Sequence, residues 1–208
     1  MNVDKLWNFS IKTMYIIGNV ILLQVINILL FLIGVFPITI PVIIIINALM
    51  IYEFIYANEF YSFISIAKVV KDNAASIIMY VLISFVLITA LGMNQAMQTF
   101  VMATNVGFFS EIVLLILSVV IFFSLATFLI FFPLVNNSSN QSVMMKIKVT
   151  FIIPFFSFKG FIFIACATVI NAFFFFSNGL FLIMFGPVLL LAVNIIIFNN
   201  YVINKEEK

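Results

Sequence analysis

The chain has no histidine and no arginine, one cysteine, one tryptophan and little charge: 9 lysines and 7 acidic residues make up 8% of 208 residues. Without histidine, the commonest general base and metal ligand is missing, which closes off triads and imidazole-ligated metals or haem. Without arginine there is no bidentate fork for phosphate or carboxylate, so nucleotide handling is not expected. The lone Cys166 has no partner for an intrachain disulfide and no companion at metal spacing. It reads as a packing thiol, with a lipidated or redox-active thiol as the alternative. No cofactor and no enzymatic activity are expected. The net charge of +2 is not gathered into a stripe, so no nucleic-acid partner is expected either.

What is present is apolar. Hydrophobic residues make up 66% of the chain and phenylalanine alone contributes 28 positions. Water-soluble domains carry about 25% charged residues, and 8% cannot cover this much apolar surface in water. The partner implied by composition is the lipid bilayer.

Charges mark the limits of what lies in hydrocarbon, because a central lysine or aspartate costs about 2.5 to 3.5 kcal/mol on insertion scales. The long charge-free runs are 13 to 52, 73 to 110, 112 to 145 and 160 to 204. A crossing takes about 20 residues, so the first and last runs each hold two crossings and the middle runs one apiece. In the last run, Ser177, Asn178 and Gly179 signal a turn. In the first run the only interruption is Gly34, Phe36, Pro37, Thr39 and Pro41, a set that suits a helix stop and restart. The same residues suit a kinked or re-entrant segment.

Lysine placement separates the two readings, since cytoplasmic loops collect lysine. With a turn at Gly34 to Pro41, six spans result, near 14–34, 38–57, 75–94, 112–133, 161–176 and 180–201. Every lysine then falls on one side, and both termini are cytoplasmic. The predicted fold is therefore all-α, a single polytopic membrane domain over residues 1–208 with about six transmembrane helices. Five spans plus a re-entrant segment is the alternative. Span two is the weakest of the six because it carries Asn47 and ends at Glu53 and Asn58. The first hydrophobic stretch is too long for a cleaved signal peptide and is expected to act as an uncleaved anchor.

Between the spans, residues 59–74 place Phe60, Phe63, Ile64, Ala67 and Lys71 at helical spacing, with Ser62, Ser65 and Asp72 opposite. This predicts an amphipathic helix in the cytoplasmic interface, serving as a surface anchor or as a docking surface. Residues 134–159 read as a cytoplasmic loop containing the polar stretch 136–142, and residues 95–111 as a lysine-free outer loop. Glu111 is expected either at the start of a span, favoured by the helix dipole, or as a ligand in an outer vestibule. The candidate polar residues within the membrane are Asn19, Gln24 and Asn27 in span one, Asn171 in span five and Asn194 in span six. Such amides usually pair between helices, adding about 0.6 kcal/mol each. Lining a solute path is the other reading.

The segment from Asn27 to Pro41, with Gly34, Phe36 and Pro37, resembles the opening of the YesL family, bacterial membrane proteins that carry a domain of unknown function. Phe63 followed by Lys71, Asp72 and Asn73 is similar to that family's Phe then Lys-x-Asn-Phe, and Phe132-Pro133-Leu134 to its Phe-Pro-Leu. The chain departs from the pattern in lacking an aromatic after Asn73 and in having no arginine. The resemblance implies a multi-pass plasma-membrane protein of bacteria, often encoded near sugar-uptake systems, with no established reaction. Two functions are expected from residues and resemblance together. One is a non-catalytic membrane accessory of a carbohydrate uptake system, partnered by other transport components. The other is a transporter or channel component for a small uncharged solute.

Overall fold

The computed structural model describes residues 3–34, 38–56, 63–104, 107–138, 141–156, 158–177 and 186–198. All of its regular structure is α-helical: α1 (Val3–Ile33), α2 (Thr39–Tyr56), α3 (Phe63–Asp72), α4 (Ala74–Thr104), α5 (Phe108–Ser138), α6 (Val143–Phe156), α7 (Phe158–Ser177) and α8 (Gly186–Phe198). Three of these helices, α1, α4 and α5, are long and apolar enough to cross a membrane. A fourth crossing arises if α6 and α7, which meet at an 86° bend, form one broken span. The chain is thus an all-helical, polytopic membrane protein.

The burial pattern is that of a protein whose solvent is lipid. On α4 the buried positions are Ser76, Tyr80, Ser84 and Asn94, while Ile78, Leu82, Phe85, Val86, Met93 and Met97 are exposed. A helix facing water would show the reverse. Hydroxyls on exposed faces are satisfied by their own helix: Thr89 donates to the Phe85 carbonyl at 2.7 Å, Thr99 to Gln95 at 3.0 Å and Ser124 to Val120 at 2.8 Å. In hydrocarbon a hydroxyl has no water to turn to, and the carbonyl one turn back is the nearest acceptor.

At the centre is α2, which touches α1, α3, α4, α5 and α8. Every residue from Ile45 to Ile51 is buried. Its β-branched and aliphatic side chains feed two apolar clusters. One joins Ile46 and Met50 to Leu23, Phe131, Phe163, Ile195 and Phe198, and the other joins Ile45 and Leu49 to Tyr80, Phe128 and Phe132. In the first, Phe131 meets Phe163 and Phe198 edge to face, at centroid distances of 5.5 and 5.4 Å, locking α5, α7 and α8 together. The short span expected over 38–57 is therefore a helix packed on several sides rather than a lipid-facing one.

Pro41 sits in the first turn of α2, where its missing N–H costs nothing. Gly34 ends α1, its N–H bonded to the Leu30 carbonyl at 2.9 Å. A β-carbon here would overlap Thr39 Oγ1 and lie 2.7 Å from the Leu30 oxygen, so the turn is closed too tightly for any side chain. Phe36 and Pro37 lie outside the described residues.

Two expectations about connections are revised. Residues 95–104, read as outer loop, continue α4 as regular helix, and α5 starts at Phe108. The turn between them uses Gly107 at φ 127°, a backbone state that only glycine enters freely. Residues 134–159, read as a loop, are mostly the end of α5 and all of α6. A helix does form within 59–74: Ile66 with Val69 and Val70 faces the core, while Ile64, Ala67 and Lys71 point outward.

Pro133 lies inside α5 and cannot donate to the Leu129 carbonyl one turn back. Tyr80 of α4 fills that gap, its hydroxyl donating to the Leu129 oxygen at 2.9 Å. The ring is fully buried and stacks on Phe128 and Phe132. A sequence feature that breaks the ladder of one helix thereby becomes an attachment point for its neighbour.

Candidate functional site

The polar residues of span one converge on the protein interior. Asn19, Gln24 and Asn27 are all buried on α1, around Leu23, on the side that packs against α2 and α8. On α2, Asn47 is wholly buried, and its Nδ2 donates to Asn27 Oδ1 at 3.0 Å. Asn194 is buried on α8, which packs against both α1 and α2. Five buried amides thus lie on three mutually packed helices, and of these Asn27 and Asn47 meet directly. Asn171 belongs to α7 by its backbone, and its side chain lies outside the described residues.

One hydrogen bond does not exhaust these amides. Gln24 Nε2, Asn27 Nδ2 and Asn47 Oδ1 are buried without a hydrogen-bond partner among the described residues. Two donors and one acceptor therefore remain, all uncharged, in a region where a buried unsatisfied group costs about 1 to 3 kcal/mol. A hydroxyl, which donates and accepts, complements such a set, whereas an ion would find no opposite charge on these side chains. The chemistry offered is hydrogen bonding to a neutral molecule.

No family model matches this chain, nor does any curated protein or solved structure. Its function must be read from the geometry. Among the described residues no three His, Cys, Asp or Glu side chains come together as a metal site. Cys166 is a free thiol exposed on the outside of α7.

The remaining sequence candidates occupy structural positions. Asn73 joins α3 to α4: its side chain and its backbone N–H both bond the Val69 carbonyl, at 3.0 and 3.1 Å, and its own carbonyl accepts from Ile77. Lys71 is exposed in the last turn of α3, where a cation suits the helix dipole. Glu111 falls in the first turn of α5, matching the helix-start reading.

Other polar contacts were not foreseen. Asn94 Nδ2 donates to the Leu114 carbonyl at 3.0 Å and to Ser118 Oγ, which also accepts from Gln98 Nε2 at 2.9 Å. These contacts pin α4 to α5. Asn137 of α5 donates to the Ala48 carbonyl of α2 at 2.9 Å. Lys146, expected in a solvated loop, is buried on α6. The signal that could have found it is its place four residues after Ser142, a helix-capping type that opens the apolar run of α6.

Proposed function

We propose that the chain is a non-catalytic accessory protein of a bacterial plasma membrane, crossing the bilayer six times with both termini cytoplasmic. Its role is to hold another component of a carbohydrate uptake system. The observation that supports this most is α3. That short helix is anchored to the core through Ile66, Val69 and Val70, yet it leaves Ile64, Lys68, Lys71 and Asp72 exposed on its other side. A rigidly mounted face combining an apolar residue with charges suits a stable contact with a protein at the membrane surface. The sugar-uptake setting rests on the resemblance to the YesL family. A photoreactive residue placed at Lys68 in cells is expected to give one discrete adduct with a membrane transport component. Recovery of the chain alone, in every mild detergent and with every probe position on α3, refutes the reading.

The buried amides favour a second reading, a channel or transporter component for a small uncharged solute. Purified protein in liposomes is then expected to speed osmotic swelling in glycerol, and Asn47→Leu to abolish the gain. Swelling equal to that of empty liposomes removes this reading.

A further inference from the structure

Lys146 is a buried residue, 9% exposed overall, and its ammonium group makes two hydrogen bonds, to the Asn136 carbonyl at 3.2 Å and to Asn136 Oδ1 at 3.0 Å. Both acceptors are neutral. Among the described residues no carboxylate pairs with this lysine, and the nearest compensation is the partial negative charge at the C-terminal end of α5. A charge partly withdrawn from water is only weakly offset by such partners.

What surrounds it is a surplus of donors. An ammonium carries three protons, of which two are used among the described residues. Asn136 is 5% exposed, and its Nδ2 is buried with no acceptor among the described residues. Lys146 also lies in the opening turn of α6, a helix of 14 residues, after the N–H groups of Val143, Met144 and Met145, for which the helix itself provides no carbonyl. The positive end of that helix and the ammonium attract the same kind of ligand. Lys148 is exposed two positions further on.

The level of this cluster narrows the source of the ligand. The apolar span of α5 ends at Asn137, and the polar residues Gln141 and Ser142 follow it, both exposed. That is where lipid headgroups meet the protein. Met144 and Met145, exposed beside Lys146, offer apolar contact of the sort an acyl chain takes.

We propose that Lys146, Asn136 and the first turn of α6 form a binding site for a phosphate oxyanion, supplied by an anionic lipid headgroup. The site is separate from the buried amides and from α3, and stands whether or not either functional reading does. The test uses the full chain, purified and delipidated in an uncharged detergent. Thermal unfolding is followed against added phosphatidylglycerol, phosphatidylcholine or inorganic phosphate. Phosphatidylglycerol is expected to raise the midpoint in a saturable way, with phosphatidylcholine at least tenfold weaker. Lys146→Gln is expected to weaken phosphatidylglycerol at least tenfold, and Lys148→Gln less than about threefold, since only the first is buried among the donors. Should Lys146→Gln fail to fold, Asn136→Asp serves instead: it sets a carboxylate beside the ammonium and should abolish the lipid response while the protein stays folded. Saturation by inorganic phosphate alone supports the site with a soluble ligand as its source. Equal responses to the two lipids, or an unchanged phosphatidylglycerol response in the folded variants, overturn the proposal.

Discussion

The bond between Tyr80 and the Leu129 carbonyl gives the most exacting test of how this bundle is held together. Replacing Tyr80 by Phe keeps the ring and its stacking on Phe128 and Phe132, at centroid distances of 5.3 and 5.4 Å, and removes only the hydroxyl. Because Pro133 supplies no N–H, the Leu129 carbonyl is then left without the 2.9 Å donor it has from Tyr80. Intramembrane side-chain hydrogen bonds average about 0.6 kcal/mol and reach about 1.7, while orphaning a buried acceptor costs about 1 to 3 kcal/mol. Tyr80→Phe should therefore destabilise the protein by about 1.5 kcal/mol. In a Pro133→Ala background a backbone N–H reaches the same carbonyl, so the hydroxyl becomes dispensable and the Tyr80→Phe cost should fall to about 0.5 kcal/mol. The double-mutant cycle thus predicts about 1 kcal/mol of coupling between residues on different helices. Reversible unfolding of the four proteins in bicelles measures it. Coupling within about 0.3 kcal/mol of zero would mean that the proline and the tyrosine are unrelated, and the account of the α4 to α5 contact would be wrong.

Gly34→Ala should lower stability by about 1 to 3 kcal/mol, because its β-carbon overlaps Thr39 and crowds the Leu30 oxygen; an unchanged melting midpoint in detergent contradicts the tight-turn geometry. Asn47→Leu alone should cost about 1 to 2 kcal/mol by stranding Asn27 Oδ1, whereas the Asn27→Leu, Asn47→Leu pair should cost less than the sum of its parts. Strict additivity, seen by the same unfolding assay, speaks against their pairing. For topology, a background carrying Cys166→Ser is needed, since Cys166 is itself exposed. In it, Lys68→Cys should resist an impermeant maleimide in intact cells and react after permeabilisation, while Thr104→Cys should react from outside. The opposite pattern inverts the proposed orientation.

The sequence made the apolar helices and the Gly34 to Pro41 turn legible because both depend on local properties, hydropathy and backbone freedom. The convergence of Asn19, Gln24 and Asn27 was partly legible from their recurrence along one helix. Their union with Asn47 was not, since it depends on how α1 and α2 align across the turn. The misread stretch 95–104 shows why counting polar residues misleads in lipid. Asn94 and Gln98 look water-seeking, yet both are absorbed by Ser118 across the helix pair, and Thr99 and Thr104 by carbonyls of their own helix. The polar stretch 136–142 and the lysines after it point to a solvated loop, and only the meeting of α5 with α6 gives the Lys146 ammonium its Asn136 acceptors. On α3 the helix itself was legible from its spacing, whereas the core contacts of Ile66, Val69 and Val70 depend on how α3 packs against its neighbours.

The ring cluster of Phe131, Phe163 and Phe198 draws together α5, α7 and α8, and its last member is synthesised well after the first. Until α8 arrives, Ile46 and Met50 lack a wall that the finished protein gives them. Nascent chains must wait in the bilayer with that seam unsealed, and products shortened ahead of residue 186 never close it. Membrane proteases that patrol for loosened bundles would clear such fragments, so α8 doubles as a check that translation has passed residue 198.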